Sequence, residues 1–204
     1  MYTGITRGTF PVMNVERQPG LLRYAVGLPD VLREGLEVGA SVSIDGVCQT
    51  VTAIEGERVH FDAIEETLRL TTLDDLQPEK LVAVERSARV GDEIGGHDVA
   101  GHVIGTGTIA ERLTDGGRCD LRISVSSEWM RYILTKGFIA VDGSSLTVGE
   151  RDDRGWFWLH LIPETLRLTN LGRKGVGESV NIELDARTVA IVDTVERVLA
   201  SRAS

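Results

Sequence analysis

Glu66–Thr71 reads ETLRLT, and Glu164–Thr169 reads ETLRLT again. From position 66 to position 164 is 98 residues, close to half of the 204-residue chain. The match widens to I-x-ETLRLT-x-L from Ile64 and again from Ile162, broken only at Glu65/Pro163 and Thr72/Asn170. Upstream, Asp45–Val51 (DGVCQTV) answers Asp142–Val148 (DGSSLTV) at an offset of 97. Downstream, VAVE at 82–85 answers VNIE at 180–183, at an offset of 98. Three matches in one order at concordant offsets define a tandem duplication, which sets the frame for every later reading. A module of a little under about a hundred residues can close a core, though its stability alone is modest and a partner helps.

Composition narrows the function classes. The hydrophobic share of 42% is that of a globular protein, and no apolar run approaches the ~20 residues a membrane-spanning helix requires. Met1 runs directly into strand-like sequence without the basic, apolar and small-residue succession of a signal peptide, so the expected location is the cytoplasm. A net charge of −9 with no basic cluster argues against nucleic acid as a partner. Cys48 and Cys119 lie in different modules, and a disulfide between them is not expected in a reducing compartment. Two cysteines are too few for a structural zinc site.

Each module reads as about six short strands with one short helix, the pattern of a small closed antiparallel barrel. In the first, strands are expected over Gly4–Val15, Leu21–Leu28, Ser41–Ile44, Val47–Ile54, Arg58–Ala63 and Leu81–Arg86. Pro29–Leu36 suits one or two helical turns, and Glu65–Leu70 a short helix. In the second, strands are expected over Val103–Ala110, Cys119–Val125, Phe138–Val141, Ser145–Val148, Trp156–Ile162 and Ser179–Leu184. Glu128–Thr135 reads as a helix capped by Ser126 or Ser127. Asp45-Gly46 and Asp142-Gly143 each favour a two-residue hairpin turn. Arg187–Ser204 has no counterpart in the first copy. Its apolar residues Val192, Val195 and Leu199, flanked by Ile191 and Val198, form a helical seam suited to the same helix of other subunits.

Where two copies of one scaffold differ, chemistry can have entered on one side only. Cys48 aligns with Ser145, Ile5 with His102, and Ser87 with Asp185. Thr50 and Thr147 are shared and suit either ligand binding or plain strand structure. His97 and His102 invite a metal reading, but a spacing of five fits neither helix nor strand and no carboxylate or thiol cluster completes it; no metal is expected. The glycines near 95 and 105 do not form a strand-to-helix phosphate loop, so no dinucleotide cofactor is expected either.

The segments MYTGIT, GASVSIDGVCQTV, EETLRLTTL, DEIGGHDVAGHV, KGFIAVDGSSLTV, LIPETLRLTNLG and VNIELD resemble the alpha-type riboflavin synthases from Met1 to the C-terminal helix. The resemblance implies an all-β fold of two tandem six-stranded Greek-key barrels plus a C-terminal α-helix. The divisions are 1–97, 98–186 and 187–204, with the helix joining a homotrimer. It also implies a site between the first barrel of one subunit and the second of another. There two 6,7-dimethyl-8-ribityllumazine molecules exchange a four-carbon unit without a cofactor, giving riboflavin and 5-amino-6-ribitylaminouracil. Lumazine synthase is a further candidate partner.

Carried onto this sequence, Ser41, Cys48, Thr50, Ala63, Ile64 and Glu66 line one socket. Lys136, Ser145, Thr147, Ile162, Thr165 and Asp185, with His102, line the other; Tyr2 and Gly4 are further substrate-binding positions. Cys48, His102, Ser145 and Thr147 are the catalytic candidates. His102, with Thr147, is suited to removing a proton from the acidic 7-methyl group, and either Cys48 or water to assisting at C7 of the acceptor. Tyr2 stands where the family usually has Phe, Asp45 and Gln49 where it often reads NGVCLTV, and Asp98 and Ala100 where it often reads GGHLVSGHV. Two other readings stay open: a non-catalytic lumazine- or flavin-binding paralogue, and a flavin-binding reductase barrel. The retained Cys48 and His102 argue against the first, and the lack of a nicotinamide-binding module against the second.

Overall fold

A computed structural model describes residues 1–203. Six strands close the first barrel: β1 (Thr9–Gln18), β2 (Leu21–Gly27), β3 (Ser41–Ile44), β4 (Val47–Glu55), β5 (Arg58–Ile64) and β6 (Leu81–Arg86). All pairs are antiparallel, in the cyclic order β1-β2-β5-β4-β3-β6. The second barrel consists of β7 (Gly105–Asp115), β8 (Arg118–Ser124), β9 (Phe138–Val141), β10 (Ser144–Asp152), β11 (Trp156–Leu161) and β12 (Ser179–Leu184). It closes in the same order, β7-β8-β11-β10-β9-β12. The duplication is therefore a duplication of complete Greek-key barrels, and closure leaves neither sheet with a free edge.

Alternation builds the two cores. Along β3 and β4, Val42, Ile44, Val47 and Val51 point inward, while Ser41, Ser43, Cys48 and Thr50 share the outer face. Val12, Leu22, Tyr24, Val59, Phe61, Val82 and Val84 fill the rest of the first core, with Tyr24 and Phe61 rings 5.4 Å apart. Ile109, Leu121, Ile123, Ile139, Val148, Phe157, Leu159 and Ile182 fill the second. Each such fully buried side chain contributes about 1.5–3 kcal/mol relative to exposure. Gln49 points inward too, accepting from the Tyr24 hydroxyl at 3.1 Å, as its place between Cys48 and Thr50 requires.

Short helices α1 (Asp30–Arg33), α2 (Glu65–Leu70) and α3 (Pro163–Leu168) cover barrel ends, and α4 (Ala186–Ala203) closes the chain. The expected helix end at Ser204 lies outside the described residues. Two expectations, for Glu128–Thr135 and for the start of the first strand, are corrected. Glu128–Thr135 is not an α-helix: Ser127–Trp129 makes a single 3-10 turn, started by the Ser126 hydroxyl, and further turns bury Met130 and Ile133. The one or two turns expected over Pro29–Leu36 form as the single turn α1. The first strand begins at Thr9 rather than Gly4 because the preceding residues cross to the other barrel.

That crossing joins the barrels. Tyr2 and Val99 pair as an isolated antiparallel bridge, with amide–carbonyl distances of 2.7 and 3.1 Å. The Glu85 carboxylate accepts from the Thr3 and Gly4 amides at 2.7 and 3.0 Å, and Glu183 accepts from Ala100 and Gly101 at 2.7 and 3.0 Å. The hairpin turns meet back to back. Asp45 and Asp142 both have φ +46, as such turns demand. A Cβ on Gly46 would come within 2.9 Å of the Gly143 Cα. Around this contact, the Asp45 carboxylate accepts from Ala83 N (2.6 Å) and Asn170 Nδ2 (2.7 Å). Asp142 accepts from Asn181 N (2.8 Å) and Lys174 Nζ (2.6 Å).

Candidate active site

The crossing segments build the site. Each hands a glycine carbonyl to the partner barrel: Gly101 O accepts from Cys48 N at 2.9 Å, and Gly4 O accepts from Ser145 N at 2.8 Å. The next residue then projects into a cavity of the opposite barrel. One cavity, of about 310 Å³, is lined by Val47, Cys48, Glu66, Thr67, Leu70 and Thr71 of the first module and by Gly101, His102 and Val103 of the second. Its counterpart, of about 160 Å³, is lined by Ser144, Ser145, Leu146, Ile162, Glu164, Thr165, Leu168 and Thr169, and by Gly4, Ile5 and Thr6. The two are related residue by residue through the repeat. One holds a thiol and an imidazole where the other holds a hydroxyl and an isoleucine.

This corrects the expected grouping of His102 with the second module's residues. The segment that carries it is fastened to Cys48, so His102 shares a cavity with Cys48 and Glu66. Of the remaining expected residues, Gly4, Ser145, Ile162 and Thr165 meet in the second cavity. Ser41 and Thr50 are cross-strand neighbours on the face that carries Cys48, and Phe138 and Thr147 occupy the equivalent pair beside Ser145. Ile64 and Ile162 are 58% and 60% exposed at the rims. Lys136 is exposed, with φ +66 in the turn before β9, where the first copy has Gly39. Two side chains lie elsewhere than a direct binding role requires. Ala63 turns its methyl into the first core because of strand alternation, and Tyr2 is 2% exposed between the barrels.

Asp185 lies in a third cavity of about 420 Å³ with Ile94, Gly96, His97, Asp98, Phe138 and Arg187. His97, considered from the sequence only as a metal ligand, contacts Ser145. Its Nδ1 lies 2.6 Å from Ser145 Oγ, its ring stacks on Phe138 at 5.1 Å, and its Nε2 is buried without a partner. Burial holds the His97 imidazole below its ordinary range, against the pull of Asp185 and Asp98, and so favours its neutral form. Burial works against ionised Asp185, but hydrogen bonds from Thr188 and Arg187 outweigh it and keep the carboxylate charged. Comparison of the two copies could not single out His97, whose counterpart would precede Met1. Among the described residues no cluster of His, Cys, Asp and Glu could hold a metal ion.

Two cavities on a duplicated barrel, equivalent in most of their lining and unlike in reactive groups, give each half of the chain a small-molecule-sized site of its own. The lumazine binding domain profile matches this chain twice, at residues 3–87 and 100–185. The chain belongs to the lumazine-binding riboflavin synthase family. It is 50% identical to riboflavin synthase of Escherichia coli strain K12 over 203 residues, covering 99% of this chain and 95% of that protein. It is 42% identical to the Chlamydia pneumoniae enzyme over 98% of both chains. Among solved structures, LumP complexed with riboflavin superposes with a TM-score of 0.84 at 24% identity, over 91% of this chain and all of that one. LumP complexed with 6,7-dimethyl-8-(1'-D-ribityl) lumazine gives 0.80 at 24% identity, over 90% and 98%. At that identity the likeness is one of fold.

Proposed function

We propose that this chain is a riboflavin synthase, converting two 6,7-dimethyl-8-ribityllumazine molecules into riboflavin and 5-amino-6-ribitylaminouracil. One lumazine gives up a four-carbon unit and leaves as the diaminouracil; the other accepts it and closes the third ring, so atoms balance without an oxidant or cofactor. The observation that carries the reading is the pair of equivalent cavities, one bearing Cys48 with His102 and the other Ser145 with Ile5. Two identical substrates need two like sockets, and their opposite fates need unlike chemistry within them.

The residues divide the work as follows. His102 takes the proton from a lumazine 7-methyl group, whose carbanion is delocalised into the ring. The Cys48 sulfur lines the same cavity and borders the lumazine whose proton His102 removes, while C7 stays electrophilic in the second lumazine, which keeps its methyl protons. In the other half, neutral His97 polarises the Ser145 hydroxyl 2.6 Å away. Thr50 and Thr147, Glu66 and Thr165, Lys136, Gly4 and the rim isoleucines Ile64 and Ile162 hold the ring systems and ribityl chains. Open, half-exposed shelves on both barrels and the exposed stripe Ile191, Val195, Val198 and Leu199 on α4 favour a homotrimer with sites closed by a neighbouring chain. The working division is 1–97, 98–186 and 187–204, and the site of action the cytoplasm.

The non-catalytic paralogue is the alternative to exclude. Purified protein mixed with the lumazine alone is expected to form riboflavin and the diaminouracil in equal amounts. Tight binding with no product would leave only the binding function.

A further inference from the structure

Resting on the riboflavin synthase reading, we infer that Tyr2 is a positioning residue for Cys48, acting on the reaction through the sulfur rather than by touching substrate. The Tyr2 hydroxyl donates to Cys48 Sγ at 3.2 Å. Its ring cannot turn elsewhere. The backbone is held on both sides by the bridge to Val99, and the ring belongs to a small apolar cluster with Val99 and Ala140 between the barrels. Gly101 closes over it: a Cβ there would lie 2.9 Å from Tyr2 Cε2 and 2.6 Å from Cys48 Cβ. The Tyr2 side chain is thus a fixed post whose one polar atom donates to the sulfur, with Ser87 on its other side.

A cysteine side chain has a single rotatable bond before its sulfur, so one donor suffices to select a rotamer. Cys48 is only half-buried and lines the cavity that also holds His102, so the sulfur has open space into which it could otherwise swing. Burial, and then the neighbouring sulfur, push the Tyr2 phenol well above its ordinary value, so it remains a neutral donor throughout the working range. The repeat shows the arrangement to be one-sided. The position equivalent to Tyr2 is Val99, which carries no donor, and Ser145 is met by His97 instead.

The test is a double-mutant cycle of Tyr2→Phe with Cys48→Ala, read by steady-state kinetics and by the S–H stretching band in Raman spectra. Phenylalanine keeps the ring and its packing and removes the hydroxyl, which also meets Ser87, so the Cys48→Ala background separates the part that acts through the sulfur. In Tyr2→Phe, kcat is expected to fall about three- to tenfold, the worth of one modest hydrogen bond, while KM changes less than about twofold. In the Cys48→Ala background the same change has no further effect on kcat. The Cys48 S–H band, identified by its loss in Cys48→Ala, is expected to shift and broaden in Tyr2→Phe, a readout that needs no turnover. An unchanged band, an unchanged kcat in an active enzyme, or an equal loss in both backgrounds would overturn the inference. A wild-type protein that forms no riboflavin while its band responds to Tyr2→Phe would leave the contact standing and end the catalytic reading instead.

Discussion

The backbone amide of Cys48 donates to the carbonyl oxygen of Gly101 at 2.9 Å, and this bond delivers His102 of the second module into the cavity of the first. Its mirror, Ser145 N to Gly4 O at 2.8 Å, delivers Ile5 the other way. Each cavity is therefore built from both halves of the duplication.

His102→Gln keeps a polar side chain in the Cys48 cavity and removes the group that takes up a proton. We expect kcat to fall by about two orders of magnitude, with lumazine affinity largely kept. Single-turnover riboflavin formation and fluorescence titration separate the two. Wild-type turnover at saturating substrate would exclude an acid–base role.

Gly46 and Gly143 meet backbone to backbone between the barrels. Gly46→Ala puts a methyl against the Gly143 backbone at φ +83 and is expected to cost about 2–4 kcal/mol. Gly56→Ala shares a positive φ, +61, but meets nothing within 4 Å, and is expected to cost only about 1 kcal/mol. Denaturant titration of both variants decides; equal losses would mean that backbone conformation, and not the approach of the barrels, sets the cost.

Asp45 links stability to pH. Burial, reinforced by the Asp142 carboxylate, pushes Asp45 up to about 7 from its ordinary 3.8, against the opposing pull of Lys174. Between those values the folded chain keeps a proton that the unfolded chain has released, so this group's contribution to stability falls as pH rises. Asp45→Asn keeps the oxygen that Ala83 and Asn170 bind and abolishes the titration. It is expected to stabilise the protein by about 1–3 kcal/mol at pH 8, and by progressively less as pH falls toward 4. A difference from wild type that does not vary across that range would disprove the assignment.

The outward stripe of α4 offers a separate handle on assembly. Val195 and Leu199 are 51% and 60% exposed, whereas Val189 packs on the second core and Asp193 accepts from the Tyr132 hydroxyl at 2.5 Å. Val195→Glu combined with Leu199→Glu is expected to leave both barrels folded and to lower the solution mass to that of one chain. Sedimentation equilibrium checks this, with circular dichroism reporting the fold; a mass unaffected by two buried charges would place the subunit contact elsewhere.

The architecture was legible in the sequence because its determinants are local and recur. ETLRLT at 66 and 164 marks α2 and α3, the Asp-Gly pairs mark the hairpins, and period-two patterns mark strands whose inner faces must be apolar. The same local rules misread Glu128–Thr135. There the apolar spacing suits a helix, but Met130 and Ile133 are buried just as well by successive turns packed on the barrel, and such packing overrides propensity. Sequence alone also singled out Cys48, Ser145 and His102, because a duplication makes every chemical difference between its copies visible. Which of them meet was decided only in three dimensions. Gly4 and Gly101 lie on segments that leave their own strand order and hydrogen-bond to the opposite barrel, at Ser145 and Cys48, pairings between distant segments that no periodicity encodes. His97 reaches Ser145 and Tyr2 reaches Cys48 by another non-local route: both contacts lie beside the seam where two closed barrels press together, and the form of that seam depends on the packing of the whole surface.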